Sequence, residues 1–319
     1  MPVNLSEAVR WPADISTSVQ MYNEWYLASA PTIFARERAA TAAEVSQALE
    51  VTQDLTLLSA ELLVENPKII STLRMATCPP VAVDRLIGLA QVNTNLVKAM
   101  EEGRLPQRSR RPVLLAESQK IIDVFIRLID PTIFPWRSPL RTPDASERAK
   151  AATIVADRLC AAVSNPILRN AQEQRQLEAI GSWLRNRGYT EHEVAGTAFE
   201  MLPPGTFSFR LNVPVDAGGD EDETVNIPID AVVMPRDASP GDFPLLIEAK
   251  SAGDFTNTNK RRKEEATKMR QLTETYGANI RFILFLCGYF GVKYLRYEAN
   301  EGIDWVWEHR IDDLSLFGL

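Results

Sequence analysis

The sequence predicts an α/β chain of the α+β kind: a helical N-terminal region followed by a core with a mixed central sheet flanked by helices. Three observations carry this. From about Ser6 to Tyr189, apolar residues recur at spacings of three and four within Ala-, Leu-, Glu-, Gln- and Arg-rich stretches, which is a helical period. Beyond Tyr189 the period changes to alternation and then to short unbroken apolar runs, as expected of strands, some of them buried on both faces. One charged stretch without strand character interrupts these runs, so the order reads helix, three strands, helix, strand. The boundary is expected between residues 1–168, a helical region that positions a partner, and residues 169–319, the sheet-containing core.

In the helical region, Pro67, Pro79-Pro80, Pro112 and Pro131 punctuate the pattern, because proline removes a helical donor and restricts the residue before it. AVDRLIGLAQVNTNLVKAMEEG has the shape of a helix-turn-helix. Leu86, Leu89, Val92, Leu96 and Val97 supply its apolar contacts, and Gln91-Val92-Asn93 its turn. PDASERAKAATIVADRLCAAVSNP reads as one helix capped near Asp144 or Ser146 and closed by Asn165-Pro166. RNAQEQRQLEAIGSWLRNRGY reads as the next, ending at Gly188 in a left-handed cap. GTFSFRLNVPV and TVNIPIDAVVMP follow as antiparallel strands joined by the exposed acidic loop DAGGDEDE. Then come the buried-looking FPLLIEAK, a charged helix from about Asn259 to Tyr276, and the interior strand NIRFILFLCGYF.

Composition narrows the chemistry. With 319 residues, 45% hydrophobic and 24% charged, the chain is long enough for two cores. No window approaches the ~18 uninterrupted apolar residues of a membrane span. MPVNLSEAVRW lacks the basic-then-apolar order of a signal peptide, so a soluble, cytoplasmic protein with no membrane partner is expected. Three scattered cysteines (Cys78, Cys160, Cys287) and two histidines exclude a disulfide framework and a histidine-rich metal cluster. A bound metal must then rest on oxygen, which points to magnesium, manganese or calcium. The net charge of −7 opposes a nucleic-acid partner only if the signs are mixed. Here they are segregated: acids crowd 216–223, whereas bases gather at 104–111 and 260–270.

The run Pro244-Leu245-Leu246-Ile247 ends abruptly in Glu248-Ala249-Lys250, the chain's only acid-any-Lys triplet. Side chains two apart on a strand share a face, so Glu248 and Lys250 project together, and Asp230, at the end of TVNIPID, can reach them from the neighbouring strand. Two carboxylates and the Ala249 backbone carbonyl then offer oxygens to a divalent ion, with an ammonium to position or deprotonate a water. The alternative is a solvated strand end with a cross-strand ion pair.

Three segments are suited to holding DNA. Asn93, Thr94 and Asn95 open the second helix of the helix-turn-helix, where short polar side chains fit major-groove contacts, although simple packing gives the same pattern. Arg108, Arg110 and Arg111 suit a phosphate-gripping loop. Asn259, Lys260, Arg261 and Lys263 open the charged helix close behind the triplet. Glu264 and Glu265 in that helix also fit a solvated face with i,i+4 pairs. Trp305 and Trp307 are expected in a core, and Cys287 as a buried strand residue.

Asp230 followed by Glu248-Ala249-Lys250 in this element order resembles the PD-(D/E)XK nuclease core, with Ile229 where the proline of that name stands. RMATCPPVAVDRLIGLAQVNTNLVKAMEEGRLP and SAGDFTNTNKRRKEEATKMRQL are similar to the XamI family of type II restriction endonucleases, whose namesake cuts GTCGAC. The resemblance implies magnesium-dependent cleavage of double-stranded DNA leaving 5'-phosphates, with manganese able to substitute. It makes Asp230 and Glu248 metal ligands and Lys250 the catalytic lysine. Several members of the superfamily place a further glutamate on the first core helix, for which Glu178 is the candidate here. A palindromic site implies a homodimer, and restriction-modification implies a DNA methyltransferase sharing the site without needing to bind the enzyme. Two other readings stay open: a repair or recombination nuclease of the same fold directed by DNA structure or damage, and a non-enzymatic helix-turn-helix DNA-binding protein.

Overall fold

The computed structural model describes residues 4, 7–192, 202–216, 224–239, 241–256, 258–277 and 280–319, the side chains of 258–262 excepted. The acidic loop at 217–223 therefore lies outside the described residues, as do the side chains of Asn259, Lys260 and Arg261. The chain forms two compact units, one of residues 31–168 and one of residues 1–30 with 169–319. Residues 1–30, grouped with the helical region by sequence pattern, thus cluster with the sheet.

The first unit is helical. It contains the later part of α1 (Trp11–Val51), then α2 (Ala60–Glu65), α3 (Ile69–Met75), α4 (Val83–Ala90), α5 (Thr94–Glu101), α6 (Arg111–Leu128) and the first half of α7 (Ala145–Asn186). Its core is made by Leu49, Leu63, Leu73, Leu86, Val97, Ile121, Phe125 and Trp136, all fully buried. Each contributes roughly 1.5–3 kcal/mol by leaving water. Arg74 and Glu101 form a buried two-pronged pair, Nε to Oε1 at 2.6 Å and Nη2 to Oε2 at 2.9 Å, that ties α3 to α5.

Within it, α4 and α5 take the helix-turn-helix form. Gln91 ends α4 in the left-handed region (φ 51°), and the Asn93 side chain caps α5 by accepting from the Asn95 N–H at 2.8 Å. Leu86, Val92, Leu96 and Val97 are buried as expected, but Leu89 is 43% exposed and takes no part in the core. On α4 it lies three residues after Leu86, on the flank of the buried stripe.

One expectation fails at Pro166. Rather than closing a helix, it lies inside α7, which runs unbroken for 42 residues. A mid-helix proline costs about 3 kcal/mol, but burial on both sides exceeds that. Val155 and Leu159 enter the helical core before the proline, and Ile180, Trp183 and Leu184 enter a sheet core after it. Asp144 begins the helix with a reciprocal capping box: the Glu147 N–H donates to its carboxylate at 2.8 Å, and Glu147 accepts from the Asp144 N–H at 3.0 Å. Gly188, with φ 76°, follows the helix end as expected. By length and composition one window of α7, mean hydropathy 1.2, could cross a membrane. One third of that window is buried, including residues of the helical core such as Val155 and Leu159.

The second unit holds a six-stranded mixed sheet in chain order: β1 (Thr190–Glu191), β2 (Thr206–Asp216), β3 (Thr224–Met234), β4 (Leu245–Ala252), β5 (Arg281–Gly288) and β6 (Asp304–Trp307). The β2–β3 and β3–β4 pairs are antiparallel, and β1–β2, β4–β5 and β5–β6 are parallel. One face carries Val232, Leu246, Leu284, Leu286, Trp305 and Trp307, packed with Leu272 of α8 (Thr258–Tyr276) and Leu295 of α9 (Val292–Asn300). The opposite face carries Ala231, Val233, Leu245, Ile247, Ile283 and Phe285 against the end of α7. Trp305 and Trp307 are core residues as expected, and Cys287 is a buried strand residue whose thiol is pushed up to about 12 by burial and the nearby Glu308.

Candidate active site

Asp230 is not at a strand end, since β3 continues to Met234, but it stands where two strands part. The β3–β4 ladder pairs only Ala231, Val232 and Val233 with Ile247, Leu246 and Leu245. Continued by one step, that register sets Asp230 opposite Glu248. Here the carboxylate replaces the ladder: Asp230 Oδ2 accepts from the Ala249 N–H at 2.8 Å. On the other side β2 keeps its register with β3 but leaves one pair unformed, that of Asp230 with Arg210, which adopts φ 55°, a left-handed conformation uncommon in a non-glycine residue. Asp230 therefore sits at a break on both edges of its strand.

Four charged side chains meet on the α8 face. Lys250 Nζ lies 2.8 Å from Glu248 Oε1 and 3.1 Å from Glu265 Oε1, and Lys268 Nζ lies 2.6 Å from the same Glu248 oxygen. Glu248 is 5% exposed and Glu265 fully buried. Burial raises the Asp230 carboxyl, and the neighbouring Glu248 charge adds to it, to about 6. Burial works against the Lys250 ammonium, yet Glu248 and Glu265 outweigh it and hold the group above the usual lysine range. Burial, opposed by Lys250, also raises Glu265. From the opposite side of the sheet, Gln176 of α7 donates to the Lys250 and Phe285 carbonyls at 3.4 and 3.2 Å, tying α7 to both β4 and β5.

This donor set fits a hard divalent ion. Its side-chain ligands are oxygens alone, and Glu248 Oε2 is buried with no hydrogen-bond partner. Among the described residues no group of three or more His, Cys, Asp or Glu side chains is spaced to hold a metal. Two carboxylates and a backbone carbonyl would thus leave the remaining positions to water and to substrate oxygens.

Glu178 does not join this group. Its carboxylate accepts from Ser182 at 2.9 Å and Arg185 at 3.2 Å, which hold it below the usual range, and it is 69% exposed. The α7 carboxylate whose charge acts on Asp230 is Glu173, which pairs with Arg210 at 2.8 Å. Five residues of α7, about a turn and a half, separate the two glutamates, and the sequence pattern alone does not show which of them faces the sheet edge. Glu265 and Lys268 were also hidden, although they share an α8 face with the buried Leu272 at the i, i+3, i+7 spacing. Lys263 is exposed on α8, and Asn93, Thr94, Asn95, Arg108, Arg110 and Arg111 are exposed in the helical unit. Arg111 approaches Glu65 at 3.7 Å. A cavity of about 760 Å³ lined by Pro235, Phe243, Tyr276 and Arg281 adjoins the other end of β3 and β4 and shares no residue with the charged group.

Residues 53–307 match the family model described as XamI restriction endonuclease. The chain belongs to the XamI restriction endonuclease family. Type II restriction enzyme SalI of Streptomyces albus G is 49% identical over 317 residues, 99% of each chain. This XamI-family chain is accordingly a type II site-specific deoxyribonuclease with double-stranded DNA as substrate. A damage-directed nuclease and a non-enzymatic regulator give way to that assignment. Protein VC1899 from Vibrio cholerae, a solved structure, aligns over 80% of this chain and 55% of its own at 10% identity with a TM-score of 0.29, too remote to bear on the fold.

Proposed function

We propose that the sheet unit is a PD-(D/E)XK nuclease core that hydrolyses DNA with magnesium, or manganese in its place. In this reading Asp230, Glu248 and the Ala249 carbonyl hold the ion, and Lys250 is the catalytic lysine. The supporting observation is the carboxylate pair at the parting of β3 and β4, one of its buried oxygens unpartnered, beside a doubly paired ammonium. When bound, the ion supplies Lewis acidity to the attacked phosphate and lowers the pKa of a bound water.

The chain's own residues do the rest. Held as an ammonium by Glu248 and Glu265, Lys250 is a donor that orients the attacking water and offsets charge on the phosphate, which fits it better than the role of base. Glu248 keeps that ammonium next to the ion. Attack by the water oxygen at phosphorus breaks the bond to the 3'-oxygen, which leaves as a hydroxyl after taking a proton, so the ends carry 5'-phosphates. Glu173 takes the place of Glu178 as the α7 carboxylate whose charge acts on Asp230.

Recognition falls mainly to the helical unit, with Asn93, Thr94 and Asn95 at base edges and Arg108, Arg110 and Arg111 on phosphates, and Lys263 on α8 of the sheet unit adds a further phosphate contact. Asn93 already spends its side-chain oxygen on the cap, which leaves its amide N–H groups for a base. The family resemblance makes GTCGAC the first site to test. The enzyme works as a cytoplasmic homodimer, protected from cutting its own genome by a methyltransferase of the same specificity.

Incubation of long phage DNA with enzyme and magnesium, followed by sequencing of the fragment ends, should return one repeated site with 5'-phosphates. Lys250→Ala should lower the single-turnover rate by about 10²–10⁴-fold while DNA binding in calcium persists. Cutting by Lys250→Ala at the wild-type rate, or no cutting by wild type with either ion, would overturn the reading.

A further inference from the structure

Lys268 occupies a cation position. Its ammonium lies 2.6 Å from Glu248 Oε1 and 3.4 Å from the Pro228 carbonyl, bridging β3 and β4 where their ladder has ended. Oxygens of these two strands are the ones assigned to the divalent ion above, and the inference rests on that assignment. Both cations seek oxygen ligands in one gap, so each weakens the other's hold.

The two lysines on Glu248 differ in what else holds them. Lys250 has a second carboxylate, Glu265, which keeps it in place if Glu248 turns to another cation. The other hydrogen bond of Lys268 is to the neutral Pro228 carbonyl. Lys268 is therefore the one that yields. Its side chain is 19% exposed, and yielding takes it toward solvent along α8.

Charge balance agrees. Asp230, Glu248 and Glu265 against Lys250 and Lys268 leave one negative charge. A divalent ion added to these five turns the balance to one positive, the complement of a single phosphodiester. We infer that Lys268 is the resident counter-ion of the DNA-free enzyme: seated on Glu248 Oε1, beside the unpartnered Oε2, it offsets the carboxylate charge in place of the metal, competes with it, and so sets how tightly the metal is held before DNA arrives. A protein with its carboxylates neutralised from within keeps its core intact without metal and is slow to load the ion until a phosphate draws the lysine away.

The test is a titration without DNA, which requires no turnover. Wild type, Lys268→Met and Lys268→Arg are titrated with manganese while the free ion is followed by its paramagnetic resonance signal. A like charge within ~4–6 Å shifts an ionic equilibrium by ten- to a thousandfold, so Lys268→Met should bind manganese on the order of tenfold more tightly, with Lys268→Arg close to wild type. Equal or weaker binding by Lys268→Met, when wild type binds the ion, overturns this inference and leaves the metal assignment standing. No binding by wild type overturns the assignment and the inference together. If Lys268→Met does not fold, Lys268→Gln is put through the same titration and must give the same tightening. As a structural check, Asp230→Asn in the Lys268→Gln background should abolish the gain.

Discussion

At the scale of the residue, Asp230 is a carboxylate kept where its charge is unwelcome. Burial comes first, and Glu248 adds to it, raising the group from its ordinary 3.8 to about 6. The sign of the linkage follows. Between about pH 4 and 6 the folded state binds a proton that the unfolded state lacks, so the metal-free fold loses stability as pH rises through this window and remains lower above it. Two units correspond to roughly 3 kcal/mol at most. Asp230→Asn can still accept from the Ala249 N–H but carries no charge. In chelator at pH 8 it should therefore melt above wild type, with the gap closing toward pH 4. Thermal scans across that range check this, and a variant less stable than wild type at pH 8 would refute it. This residue was legible in the sequence because strand parity puts Glu248 and Lys250 on one face and Asp230 closes TVNIPID on the strand expected beside them. Glu265 was not, because a glutamate beside lysines on a polar helix has the same pattern whether it faces water or the sheet. The structure places it at zero exposure against Lys250. Replacing it with glutamine removes one of the two charges that keep Lys250 an ammonium. Glu265→Gln should shift the alkaline limb of the cleavage pH profile downward at unchanged DNA affinity, and an unmoved limb would mean that Glu248 alone sets Lys250.

At the scale of the element, α7 and α8 hold the same two strands from opposite faces. The fully buried Gln176 on α7 donates to the carbonyls of Lys250 and Phe285, and α8 meets the Lys250 side chain through Glu265. Lys250 is thereby held at both backbone and side chain, which is how a long flexible residue is fixed for the role proposed for it. Gln176→Leu is near in volume but leaves two buried carbonyls without that donor, at a cost of about 1–3 kcal/mol each if nothing replaces it. It should lower the melting temperature and reduce kcat more than KM. A stability loss with kcat intact would make Gln176 a purely structural strut. The strands and the second helix were readable from alternation and apolar runs. The continuity of α7 was not, since proline in a local window signals an end, and only the two cores fed by either half of the helix explain why it passes through. Distant packing overrode a correct local preference.

At the scale of the whole molecule, each chain offers one Asp230–Glu248–Lys250 group among its described residues. If that group is the active site, it hydrolyses one bond at a time, and because the strands of a duplex run in opposite directions, a second strand must be presented to a second group in the two-fold related orientation. A two-fold pair of chains on a palindromic site supplies it without further motion, whereas a lone chain must release the nicked duplex and bind again turned about. The net charge of −7 makes that second binding depend on local basic surfaces and on salt. The two routes separate when wild type is mixed with an excess of Lys250→Ala and given supercoiled plasmid bearing one site. If chains act as a pair, the excess places most wild-type chains in mixed dimers with one competent group, so nicked circles should accumulate with little linear product. Chains acting singly give linear product at the rate set by the wild-type fraction alone, slowed only by competition for the site. A linear yield that scales with that fraction, with no excess of nicked circles, would exclude the paired mechanism.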